Sequence, residues 1–138
     1  MKKQMPEKYM ALYEAAKAAR ANAYSPYSGH KVGAAIKTAD GEIYGGCNIE
    51  NSSYGATNCA ERVAIQSAVA AIGGIRISEV MVVTDATPPW PPCGICRQVI
   101  AEFGGEATVI AANLSGECRV MKLAEILPDA FTPEHLTK

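Results

Sequence analysis

Cys59-Ala60-Glu61, followed well downstream by Pro92-Cys93-Gly94-Ile95-Cys96, is the pattern that most restricts this chain. Three thiolates can share one metal ion only if the fold carries both segments to the same point. A structural zinc site is normally closed by four protein ligands. Three leave the fourth tetrahedral position to water, which the metal acidifies towards neutrality. Glu61 is then a spare carboxylate beside an activated water, placed as a proton carrier for hydrolytic chemistry. Both segments read as helix starts, Cys59 following Asn58 and Cys93 following the rigid pair Pro91-Pro92. The dipole and the free N–H groups of a first helical turn favour thiolate there.

The same residues admit plainer readings. Cys93 and Cys96 could be a thioredoxin-like redox pair, although that motif has no Cys-x-Glu partner. A four-thiolate structural site would need Cys47 or Cys118, both in strand-like stretches where small buried cysteine is common. Glu61 could be an acid stabilised by a helix N-terminus. Zinc with three thiolates carries a net charge near -1, which would blunt acidification of water. Arg62 and Arg97 could offset this by hydrogen bonding to sulfur, or could be ordinary surface arginines.

At 138 residues the chain fits a single domain, spanning 1–138, that can bury a core without disulfides. Only 20% of residues are charged against 49% hydrophobic, so the charged surface is small and burial between subunits is expected. A formal net charge of -1 supplies no basic footprint for a nucleic-acid polymer. Five cysteines is an odd number, and Met1-Lys2-Lys3-Gln4 leads into a charged amphipathic stretch. Together they argue for a reducing cytoplasm rather than a secreted disulfide framework. No apolar run approaches the roughly 20 residues needed to cross a bilayer.

Tyr9, Leu12, Tyr13, Ala16 and Ala19 recur at helical spacing and predict an amphipathic helix from Pro6 to Tyr24. After the turn Ser25-Pro26-Tyr27-Ser28-Gly29, segments 31–38 and 43–47 flank an Asp40-Gly41 hairpin signal. The Ala- and Val-rich stretch 59–72 reads as a buried helix stopped by Gly73-Gly74. Then follow a strand over 77–84, a helix over 94–103, strands over 108–112 and 118–121, and a short helix over 123–126. Alternating elements of this kind predict an α/β fold, a mixed sheet of about five strands between helices. Asn48 and Glu50 fall on one face at a strand end, so an amide and a carboxylate can converge on adjacent hydroxyls, or can cap a turn. Trp90, within Pro88-Pro89-Trp90-Pro91-Pro92, could wall a pocket or pack its own loop, and His135 reads as solvent-exposed.

Over almost its whole length the chain resembles the small homotetrameric zinc-dependent cytidine deaminases. The resemblance is carried by Ser25-Pro26-Tyr27-Ser28, Val32-Gly33-Ala34-Ala35, Gly46-Cys47-Asn48-Ile49-Glu50-Asn51, Ser53-Tyr54-Gly55, Cys59-Ala60-Glu61-Arg62, Pro92-Cys93-Gly94-Ile95-Cys96-Arg97-Gln98 and Leu127-Pro128-Asp129-Ala130-Phe131. The zinc deaminases join a His or Cys two residues before a Glu to a Pro-Cys-x-x-Cys segment, as here with Cys. The resemblance implies a three-layer α/β/α fold. It also implies one Zn²⁺ per chain on Cys59, Cys93 and Cys96, Glu61 as proton shuttle, and hydrolysis of cytidine or deoxycytidine to the uridine product and ammonia. It assigns Asn48 and Glu50 to the sugar and backbone groups at Ala60 and Pro92 to the base. Tyr54 and Phe131 would reach a neighbouring subunit's pocket in a homotetramer with shared sites. One departure stands out: the family usually carries Phe where this chain has His30, in the pyrimidine pocket. That motivates a rival substrate, such as a modified cytosine nucleoside, another aminopyrimidine or a nucleoside antibiotic. A non-catalytic zinc-stabilised binding module is the rival from outside enzymology.

Overall fold

The first helix, α1 (Met10–Arg20), buries Leu12, Tyr13 and Ala16 and follows a 3-10 turn over Glu7–Tyr9. This is a computed structural model describing residues 4–137; Met1–Lys3 and Lys138, including most of the charged N-terminal start, lie outside the described residues. The helix ends four residues before the expected Tyr24, because Tyr24 is drawn into extended pairing instead. Its N–H donates to the Asn48 carbonyl (3.0 Å), and its own carbonyl accepts from Glu50 N–H (2.9 Å).

Strands β1 (Gly33–Thr38) and β2 (Ile43–Cys47) form the expected antiparallel hairpin, turning at Gly41 with φ of 93°. Only glycine adopts that conformation without strain. β1 starts two residues later than the sequence suggests, since the Val32 N–H is taken by the Asn48 side chain (2.9 Å) rather than by the ladder. Helix α2 (Ala60–Ile72) and β3 (Ile77–Thr84) follow, then α3 (Gly94–Phe103), β4 (Thr108–Asn113), β5 (Cys118–Lys122) and the short α4 (Leu123–Ile126). Two further 3-10 turns, Tyr54–Ala56 and Pro133–His135, complete the described chain.

The five strands lie in the order β2-β1-β3-β4-β5. Only β3 and β4 are parallel, and α3 makes the crossover between them. Alternation along the strands sends Ile36, Val80, Val82, Val109 and Ala111 into a core with Ala64, Ile65, Ala68 and Ile100 of α2 and α3. Ala35, Met81, Val83, Ile110 and Ala112 point the other way, onto Leu12, Tyr13 and Ala16 of α1. The sheet is thus covered on both faces, in the expected α/β/α layering, and β3 reads as a nearly continuous apolar run for that reason. Close approach is enforced at Gly46, where an added Cβ would strike the Ala64 backbone of α2. That contact draws the start of α2, and with it Cys59 and Glu61, against the sheet.

Candidate active site

Cys59 and Cys93 are the residues immediately preceding the first turns of α2 and α3, and neither side chain caps its own helix. Their sulfurs are therefore available, and they meet at 4.0 Å. Cys96, one turn into α3 and fully buried, completes a cluster whose three sulfur atoms all lie within 4.8 Å of one another. Tetrahedral zinc thiolates at about 2.3 Å from the metal have sulfurs about 3.8 Å apart, so this donor set fits the ion in both chemistry and spacing. Among the described residues neither Cys47 nor Cys118 belongs to the cluster. Cys118 lies in the opposite core, against α1.

The thiols share charge unequally. Cys59 is brought down to about 5, first by the hydrogen bond from Cys96 and then by Arg62, against the opposing effect of burial. Cys96, as donor in that bond and buried besides, is pushed up. Arg62 Nη2 donates to Cys59 Sγ at 3.2 Å, as anticipated. Arg97 is placed differently from the expectation that it could bond sulfur. Its Nε donates to the Pro92 carbonyl and its Nη1 to the Ile126 carbonyl, each at 2.8 Å. It braces the backbone entering Cys93.

Glu61 is 3% exposed and lines the same cavity as Cys59 and Cys93, although helical geometry sets it well round from Cys59. Burial, with the charge of Cys59 adding, lifts its carboxyl to about 7, while its own backbone N–H and Arg62 oppose the rise. A carboxyl poised near neutrality both accepts and donates a proton readily.

The cavity, about 260 Å³, is lined by Cys59, Glu61 and Cys93 together with Asn48, Glu50, Ser28 and Thr57. Glu50 Oε1 accepts from the N–H groups of Tyr27 (2.9 Å) and Ser28 (3.0 Å), and Oε2 accepts from the Ser28 hydroxyl. The Ser28 hydroxyl bond leads in holding the carboxyl below its usual range. Asn48 Oδ1 accepts from Val32 N–H, and its Nδ2 donates to the His30 carbonyl at 2.8 Å. Both side chains thus hold the loop over residues 27–32 while lining the cavity; Glu50 keeps room for one further donor, and Asn48 keeps one N–H and one lone pair.

His30 lines the cavity and meets Trp90 edge to face, ring centres 5.2 Å apart. Ala60, fully buried from solvent, also lines the cavity. Tyr54 and Phe131 are 75% and 57% exposed, and neither is among the residues lining this cavity. Tyr54 instead joins Tyr27 beside an adjoining hollow that shares Ser28, Glu50 and Thr57. Val82 and Thr84 form part of the wall that sequence reasoning missed. Thr84, where an apolar strand turns polar at its C-terminal end, was the available signal. His135 is exposed as anticipated and stacks on Phe131 at 5.2 Å.

Residues 6–112 match the family described as the cytidine and deoxycytidylate deaminase zinc-binding region. The chain belongs to this family. A cytidine deaminase of Sporosarcina psychrophila is 50% identical over 123 residues, 88% of this chain and 89% of the relative. One of Halalkalibacterium halodurans is 44% identical over 131 residues, covering 94% and 98% of the two chains. The crystal structure of cytidine deaminase from Burkholderia pseudomallei superposes with a TM-score of 0.83 at 50% identity, over 89% of this chain and 98% of that one. Membership accounts for zinc on the three-sulfur cluster.

Proposed function

We propose that the chain, acting as one catalytic domain, hydrolyses the amino group of cytidine or deoxycytidine to give uridine or deoxyuridine and ammonia. The observation that carries this reading is Glu61, a carboxyl only 3% exposed in the cavity that the zinc-fitting cysteines line. Zinc held by Cys59, Cys93 and Cys96 supplies Lewis acidity that brings water towards ionisation at neutral pH. Glu61 takes a proton from the attacking water and passes it to the ring nitrogen, while the water oxygen bonds to the amine-bearing carbon. It then carries the proton of the new hydroxyl to the amine; the carbon–nitrogen bond breaks and ammonia leaves. The pocket's low exposure at Glu61 keeps bulk water from competing for these protons.

Asn48 and Glu50 are proposed to hold sugar hydroxyls through their remaining hydrogen-bonding capacity. Ala60 and Pro92 would read the base through backbone groups, with His30 against the ring. The charged side chains of the described lining are Glu50 and Glu61, with no Lys or Arg, so an uncharged sugar is favoured over a sugar phosphate. The exposed aromatics Tyr24, Tyr27, Tyr54 and Phe131 support an oligomer, a homotetramer with shared sites, in which Tyr54 and Phe131 reach a neighbour. Three ligand thiols suit a reducing cytoplasm. No described helix is long and apolar enough to cross a membrane. Cytosolic processing of nucleosides for pyrimidine salvage follows from these assignments.

The test is ammonia release from cytidine and deoxycytidine by zinc-replete protein, with cytosine and cytidine monophosphate as controls. A full complement of zinc with no deamination of either nucleoside would instead support a zinc-stabilised binding module.

A further inference from the structure

Asn113 is 2% exposed at the C-terminal end of β4, beside Thr84 of β3, and does not line the catalytic cavity. Its Oδ1 serves the turn into β5, accepting from Ser115 N–H (3.2 Å), Ser115 Oγ (2.8 Å) and Glu117 N–H (3.1 Å). A turn needs no more than that. Its Nδ2 reaches further, across to the segment leaving β3 as well as back to Glu117 of the turn. It donates to the Ala86 carbonyl at 3.1 Å, with the Thr87 hydroxyl at 3.4 Å and Glu117 Oε1 at 3.2 Å. The Asn113 backbone carbonyl accepts from the Tyr13 hydroxyl at 2.7 Å, so the residue is anchored from the α1 side of the sheet.

The segment it holds, 85–92, is the arm that carries Trp90 and Pro91 of the cavity wall and delivers Cys93 to the metal cluster. At its far end the arm is held by Arg97 on the Pro92 carbonyl. At its root, Ala86 N–H returns to Thr84 Oγ1 at 3.2 Å, and Thr84 lines the cavity. We infer that Asn113 is a positioning residue for the deaminase site: its side-chain amide ties the root of this arm to the β4–β5 turn and so sets where Trp90 stands over the cavity. In bond terms, the oxygen serves the turn alone, while the nitrogen spans from the turn at Glu117 to the arm at Ala86 and Thr87.

The two halves separate by substitution. Asn113→Asp keeps the oxygen that the turn needs but replaces the donor with an oxygen facing the Ala86 carbonyl and Glu117, which pushes the arm away. Ser115→Ala touches the turn side alone. Trp90 is the only tryptophan of the chain, so its fluorescence reports the arm directly. With zinc saturating, Asn113→Asp should raise KM for cytidine by about tenfold with kcat changed by less than about threefold, the scale of one lost hydrogen bond. Acrylamide quenching of Trp90 should increase, and zinc should pass to a chromogenic chelator faster. Ser115→Ala should leave all three near wild type.

Equal effects from the two variants would show that only the turn matters, and unchanged quenching in Asn113→Asp would show that the amide does not set the arm. Either overturns the proposal. Should far-UV circular dichroism show Asn113→Asp unfolded, Asn113→Ser applies with the same expectations, since its hydroxyl serves the turn but cannot span to Ala86. The KM arm rests on the deaminase reading. Inactive wild-type protein would overturn that reading, while quenching and zinc release would still decide the role of Asn113.

Discussion

Arg62 donates its Nη2 to the sulfur of Cys59 at 3.2 Å from one turn along the same helix, so a cation is built into the metal site by local chain geometry. Three thiolates around a divalent ion leave a net charge near -1, and a guanidinium donating to sulfur draws electron density off the ligand. Arg62→Gln should keep zinc close to one per chain but lower kcat by about 10–100-fold, the usual cost of losing a ligand's hydrogen-bond partner. Metal analysis and turnover on the same sample check this, and full turnover in a zinc-replete variant would remove Arg62 from the mechanism.

The proposed proton carrier, Glu61, gives a sharper separation of metal from chemistry. Glu61→Gln preserves the shape of the buried site and all three sulfurs, yet the amide cannot shuttle protons. Turnover should fall by at least about 10²–10⁴-fold while zinc remains bound. Near-normal ammonia release from that variant would reject the proposed mechanism outright.

For the metal itself, replacing Cys59, Cys93 or Cys96 by Ala should lower zinc content, because each removes one of the clustered sulfurs. Cys47→Ala and Cys118→Ala should leave it unchanged. Zinc measured per chain after dialysis distinguishes the outcomes, and zinc loss from either of the last two would revive a four-thiolate structural site.

The segments that carry this chemistry were legible in the chain because each signature is short and local: a cysteine preceding a helix, a carboxylate in its first turn, a Pro-Cys-x-x-Cys arm. The strands and helices were legible through their periods, with errors at ends where another segment, by side chain or backbone, claims the chain. Asn48 does this at Val32, shortening β1, and the Tyr24 bridge does it after α1. Arg97 was misjudged because sequence proximity to Cys96 does not say which way a helical side chain turns, and carbonyls of Pro92 and Ile126 claim it. Asn113 and Val82 were hidden because their significance comes from strands and loops brought together only by the sheet, whereas Thr84 left a signal in the polar end of an apolar strand.

Asn48 and Glu50 combine a proposed sugar role with a visible scaffolding one, and the two leave different marks. Asn48→Ala should weaken use of cytidine by roughly 1–3 kcal/mol, since the Val32 N–H and the His30 carbonyl lose partners as well as the sugar. Glu50 is titratable, and its carboxyl is held low chiefly by the Ser28 hydroxyl. A folded pKa below the unfolded one adds stability that is complete above the unfolded value and disappears as pH falls through the folded value. Thermal unfolding followed from about pH 6 down to about pH 3 should therefore show a steeper acid loss in wild type than in Glu50→Gln. Parallel curves would mean that the carboxylate does not hold the 27–28 turn, and normal cytidine turnover by both variants would remove them from sugar binding.

The resemblance leads one to expect Phe at position 30, and the structure shows how His30 is held there. Its N–H donates to the Ser28 hydroxyl at 3.0 Å, its carbonyl accepts from Asn48 at 2.8 Å, and its ring rests edge to face on Trp90 at 5.2 Å. The backbone is clamped on both sides, so exchanging the ring changes the wall without releasing the loop. Imidazole is smaller and more polar than phenyl; it stacks less strongly on a plain pyrimidine and offers a hydrogen bond to a polar substituent. His30→Phe should accordingly raise kcat/KM for cytidine relative to 5-hydroxymethylcytidine, by about three- to tenfold if one hydrogen bond is exchanged for better stacking. The comparison is a ratio measured on one enzyme preparation, so active-site concentration cancels. An unchanged ratio would make His30 a tolerated residue at the pocket edge and leave cytidine and deoxycytidine as the substrates that the site favours.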